Sequence, residues 1–127
     1  MARILVVDDE VEVRGMLSQV LRRAGHEVVE AADGNEGVER FREMRPDLTV
    51  TDILMPGRGG LSLIMEIRKI DPSAPVLAIS GGGKSGNLNF LSTAQALGRV
   101  ETLRKPFRRA QLLESVNRLL GEEIREE

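Results

Sequence analysis

The chain has 127 residues, 41% hydrophobic and 30% charged, with a formal net charge of −2. That length supports one domain with a real core, and the slightly acidic balance with 2% aromatic residues argues against nucleic acid and anionic membrane as partners. With no cysteine, disulfide frameworks and thiol chemistry are excluded.

The N-terminus, "MARILVVDDE", has an apolar run of four residues closed by three acids, which is not a signal peptide. No segment approaches the roughly 20 apolar residues of a membrane span. A cytoplasmic location is the expectation.

"RILVV" (3–7) reads as a buried parallel strand, continuous in apolar character and ended by acids. Residues 11–24 then place Val13, Leu17, Val20, Leu21 and Ala24 on one helical face, and Gly25 suits the stop. "HEVVEA" (26–31) reads as a second strand, and 34–45 as a helix with Val38 and Phe41 inward. "DLTVTD" (47–52) is the third strand. Pro56, Gly57, Gly59 and Gly60 read as a loop, and Leu63, Ile64, Ile67 and Ile70 as a helical stripe. "PVLAIS" (75–80) is the fourth strand, followed by a glycine-rich loop and a helix at about 87–97. "VETLR" (100–104) is the fifth strand. Leu112, Leu113, Val116, Leu119 and Leu120 mark a last helix, and 122–127 an acidic tail. Five βα units in alternation imply an α/β domain, with a parallel sheet and helices on both faces.

In such a sheet the functional crevice lies at the carboxyl ends of the strands. Asp8, Asp9 and Glu10 stand at the end of the first strand, Asp52 of the third, Ser80 of the fourth and Lys105 of the fifth. Any one of these acids alone is more simply a helix cap or turn residue. Their convergence on one rim is what points to chemistry. Clustered carboxylates repel and need a cation or protons. Oxygen ligands without His or Cys select Mg2+ or Mn2+. Three Asp with a hydroxyl and an ammonium nearby suit phosphoryl transfer, with a carboxylate able to act as the nucleophile.

From "ILVVDDE" through "PDLTVTDILMPGRGGLSLIMEIR" and "PVLAIS" to "LRKPF", nearly the whole chain resembles the receiver domain of bacterial two-component response regulators. The strand order 2-1-3-4-5 of the flavodoxin-like receiver fold comes with that resemblance, not from the alternation. The resemblance implies Asp52 as phosphoacceptor and Asp8 and Asp9 as the acidic pair holding Mg2+. The backbone carbonyl of Leu54 would be a further metal ligand, Ser80 the hydroxyl that turns to the phosphoryl group, and Lys105, before Pro106, its cationic partner. A sensor histidine kinase or histidine phosphotransfer protein would be the donor, and a downstream protein the target, reached by protein–protein contact. The protein would then be a phosphorylation-dependent switch and not a turnover enzyme. Two departures stand out. Thr102 occupies the position of the family's aromatic switch residue, and the stretch from Ser80 to Lys105 is a few residues longer than usual. Signalling would then run mainly through Ser80 and the loop 81–89, whose glycines allow a large rearrangement.

Other readings are weaker. Ala78-x-x-x-x-Gly83-Lys84-Ser85 loosely matches a P-loop and does lie between a strand and a predicted helix. However, a P-loop fold normally opens with that element, and only one strand follows it here. An aspartyl phosphatase would place a second Asp two residues after the nucleophile, where Leu54 follows Asp52 and Glu10 follows Asp8. A pseudo-receiver serving as an interaction module is disfavoured by the intact acidic set. His26, the sole histidine, reads as structural. The expectation is one receiver domain over 1–121 with a tail at 122–127, and no output domain.

Overall fold

The computed structural model describes residues 1–53, 59–80 and 98–121. The predicted helix at 87–97, the glycine-rich loop with Lys84 and Ser85, Leu54 and the acidic tail lie outside the described residues. Five strands form one sheet: β1 (Arg3–Val7), β2 (Glu27–Ala31), β3 (Leu48–Asp52), β4 (Val76–Ser80) and β5 (Val100–Arg104). Their order is β2-β1-β3-β4-β5, and every pairing is parallel. The described helices are α1 (Val11–Arg23), α2 (Gly34–Met44), α3 (Gly60–Ile70) and α4 (Arg109–Leu120).

The alternation of side chains across the pleat sorts the apolar runs into two cores. Leu5, Val7, Val76 and Ala78 face one way and pack with Val38 and Phe41 of α2 and Leu63, Ile64 and Ile67 of α3. Ile4, Val6, Leu48, Val50, Leu77 and Ile79 face the other way and meet Leu17 and Leu21 of α1 and Leu112, Val116 and Leu119 of α4. Helices therefore cover both faces, which is why β1 and β4 are apolar without visible alternation and why even Thr49 and Thr51 of β3 are fully buried.

The five strands, α1 and α2 begin and end within a residue of their predicted bounds. α1 stops at Arg23, and Gly25 carries the left-handed φ of +98° that ends it. Ala24 is exposed, contrary to its place on the predicted apolar face, because it lies past the last helical residue. Ser18 takes a fully buried place on that face instead. His26 lies just before β2 and is buried; its Nδ1 accepts from the Ala2 amide at 3.1 Å, a structural role. Gly60 is not a loop residue but the first of α3. Its amide donates to the Ile53 carbonyl at 2.9 Å. A Cβ there would collide with the Asp52 carbonyl oxygen and sit 2.6 Å from Ile53 Cα, so only glycine lets α3 start against the end of β3.

Candidate functional site

Parallel pairing brings all carboxyl ends of the strands to one rim, and register fixes what stands there. Asp52 is the last residue of β3 and lies opposite Ile79, one residue before Ser80. Ser80 ends β4 opposite Arg104, and its carbonyl accepts from the Lys105 amide at 2.8 Å. Lys105 therefore leaves β5 at the level where Asp52 ends β3. The Lys105–Pro106 peptide is cis. Asp8 follows β1, its amide donating to Ala31 at the end of β2 at 3.1 Å.

Ligand oxygens of Asp8, Asp9 and Asp52 lie within 4.8 Å of one another. Asp8 is 0% and Asp52 8% exposed, Ser80 is 3%, and Asp9 is open to solvent. Glu10 is not part of that cluster. It serves the site through its amide, which donates to Asp8 Oδ1 at 2.9 Å. Lys105 Nζ lies 4.0 Å from Asp52 Oδ2, an ion pair too long to be a hydrogen bond.

Asp8 Oδ2 is buried and has no hydrogen-bond partner among the described residues. A buried carboxylate oxygen without a donor is costly. Burial accordingly pushes the Asp8 carboxyl above its ordinary range, opposed by the Glu10 amide and the Lys105 ammonium and reinforced by Asp9 and Glu10. An oxygen-only donor set with an orphaned buried oxygen fits a hard divalent cation. Ser80, Lys105 and the three acids are thus gathered at one end of the sheet, while Leu54 lies outside the described residues. A cavity of about 580 Å3 lies elsewhere, lined among others by Phe41, Arg45, Asp71 and Arg99.

The family model for the response regulator receiver domain matches residues 4–117. The chain belongs to that family. It is a receiver, and receivers are signalling switches rather than turnover enzymes. It is 36% identical over 118 residues to the chemotaxis protein CheY of Thermotoga maritima, covering 92% of this chain and 96% of that one. A solved response regulator receiver domain protein from Clostridium thermocellum superposes with a TM-score of 0.89 at 32% identity, covering 98% of both chains. The receiver fold also matches part of a longer protein. NtrX from Brucella abortus gives a TM-score of 0.87 at 34% identity, over 97% of this chain but 28% of that one. No described helix of this receiver is long and apolar enough to cross a membrane.

Two contributors to the receiver's rim carried no sequence signal. Gly60 reads from the sequence only as a loop residue, and nothing in the sequence singles out Arg14. Arg14 Nη1 in fact donates to the Asp8 carbonyl at 2.8 Å.

Proposed function

We propose that this receiver is a phosphorylation-dependent switch that takes a phosphoryl group onto Asp52 from a phosphohistidine. The donor is a sensor histidine kinase or a histidine phosphotransfer protein, and the output is a contact with a downstream protein. The observation that carries this reading is the gathering of Asp8, Asp9 and Asp52 within 4.8 Å, with Lys105 4.0 Å from Asp52. Asp8, Asp9 and Asp52 would hold Mg2+, with the Leu54 carbonyl as a further ligand. When bound, the cation supplies neutralisation of charge among the acids and the incoming phosphoryl oxygens.

An Asp52 carboxylate oxygen attacks phosphorus in line with the P–N bond of the donor histidine. The O–P bond forms as the P–N bond breaks, and the imidazole nitrogen keeps the electron pair. The product is an acyl phosphate on Asp52. Lys105 holds a phosphoryl oxygen electrostatically, and the Ser80 hydroxyl donates to another. Asp52, nearly shielded from solvent, limits the access of water to the acyl phosphate.

The test uses acetyl phosphate as a small donor. The protein is expected to gain one phosphoryl group with Mg2+ present and to lose nearly all incorporation with a chelator or in Asp9→Ala. Equal incorporation with and without Mg2+ would contradict the reading.

A further inference from the structure

Asp8 has four polar atoms or groups, and three of them are tied down. Its amide donates to Ala31, its Oδ1 accepts from Glu10, and its carbonyl accepts from Arg14. Oδ2 alone has no partner among the described residues. The carbonyl contact is the only one of the three made by a side chain. Arg14 lies one turn into α1, and its own amide donates to Glu10 at 2.9 Å. Its side chain is 17% exposed. The guanidinium forks: Nη1 reaches the Asp8 carbonyl while Nε donates to Glu30 Oε1 at 3.1 Å. Glu30 lies in β2 directly before Ala31, the residue that accepts from the Asp8 amide. One planar cation therefore joins α1, the end of β1 and the end of β2 around the backbone of Asp8. Arg22, 3.5 Å from Glu30, braces the same carboxylate from the solvent side.

We infer that Arg14 is a positioning residue for the metal-binding acids: its fork, held by Glu30, fixes the Asp8 backbone so that the partnerless Asp8 oxygen is presented to the cation. This rests on the Mg2+ reading given above. A rigid fork suits the task because it directs two donors at fixed angles, which a lysine ammonium cannot do. Partners behind metal ligands typically set affinity by a factor of 10–100 when removed. A freed Asp8 carbonyl would leave the loop between β1 and α1 with one directional constraint fewer at the residue that matters.

The experiment is a Mg2+ titration of the melting temperature of the full chain, which yields a dissociation constant separately from metal-free stability. Arg14→Lys and Arg14→Gln are each expected to weaken Mg2+ binding on the order of tenfold. Glu30→Gln, which leaves the Asp8 contact in place, is expected to weaken it less. Arg22→Gln removes the same charge from the same carboxylate without touching Asp8, and is expected to leave the affinity unchanged. A wild-type affinity in Arg14→Lys would overturn the inference even if its metal-free melting temperature falls, because Arg14 would then be merely structural. An equal loss in Arg22→Gln and Arg14→Gln would also overturn it, by assigning the effect to the general field. If Arg14→Gln fails to fold, Arg14→Lys and Glu30→Gln still decide the matter. A wild-type protein whose melting temperature ignores Mg2+ would instead defeat the Mg2+ reading itself.

Discussion

Gly60 and Asp8 show how single residues shape the rim. A Cβ at Gly60 would collide with the backbone of Asp52 and Ile53 rather than with the yielding end of a side chain. Gly60→Ala is therefore expected to cost at least about 1–3 kcal/mol in chemical denaturation and to slow labelling of Asp52. Gly37 makes the contrast. A Cβ there meets Val7 Cγ2 at 3.2 Å and Leu63 Cδ1 at 3.3 Å, both side-chain ends, and a helix gains up to ~1 kcal/mol from Ala over Gly. Gly37→Ala should fall much closer to neutral. For Asp8, burial raises the folded carboxyl above its ordinary 3.8. The unfolded chain thus releases its proton first as pH rises. Without metal, this residue costs nothing below about pH 3.8, where both states are protonated, and lowers stability as pH rises through the raised folded value. Asp8→Asn is expected to raise the metal-free melting temperature at neutral pH and to shrink the gain from Mg2+. A metal-free melting temperature unchanged or lowered by that substitution would contradict the role given to burial.

At the scale of elements, the parallel strands and amphipathic helices were legible because each is a local pattern. Leu63, Ile64 and Ile67 are buried as their spacing predicts, and so are Leu112, Val116 and Leu119. What stayed hidden lies in contacts between different elements. Arg14 reaches Glu30 sixteen residues on, and Gly60 meets Asp52. No periodicity encodes either contact. Element ends were also blurred, since caps depend on single backbone angles. Arg45, which closes α2, adopts a left-handed φ of 45° without being glycine. That conformation costs an L-residue about 1–2 kcal/mol, partly offset by the greater unfolded freedom of glycine. Arg45 is exposed. Arg45→Gly is therefore expected to stabilise by about 0.5–1 kcal/mol, and a loss of stability in the denaturation curve would show that this side chain contributes more than its exposure suggests.

For the whole molecule, the parallel sheet is what turns scattered residues into a site. Asp8, Asp52, Ser80 and Lys105 are separated by dozens of residues, yet each follows or ends a strand whose carboxyl end faces the same rim. Their types and strand-end positions make the rim legible in the sequence. The order β2-β1-β3-β4-β5 was legible only through family resemblance, because alternation alone permits several orders. Thr102, opposite Ala78 in β5, has an observed place in the sheet, whereas the loop 81–89 proposed to carry the switch lies outside the described residues. The proposed switch depends on Asp52 being the residue that accepts the phosphoryl group. It is tested most directly by treating the protein with acetyl phosphate and Mg2+ and mapping the product by peptide mass spectrometry. The expected result is one hydroxylamine-labile phosphoryl group on the peptide containing Asp52, absent in Asp52→Asn. Equal labelling of Asp52→Asn, or a hydroxylamine-stable group on another residue, would contradict the account.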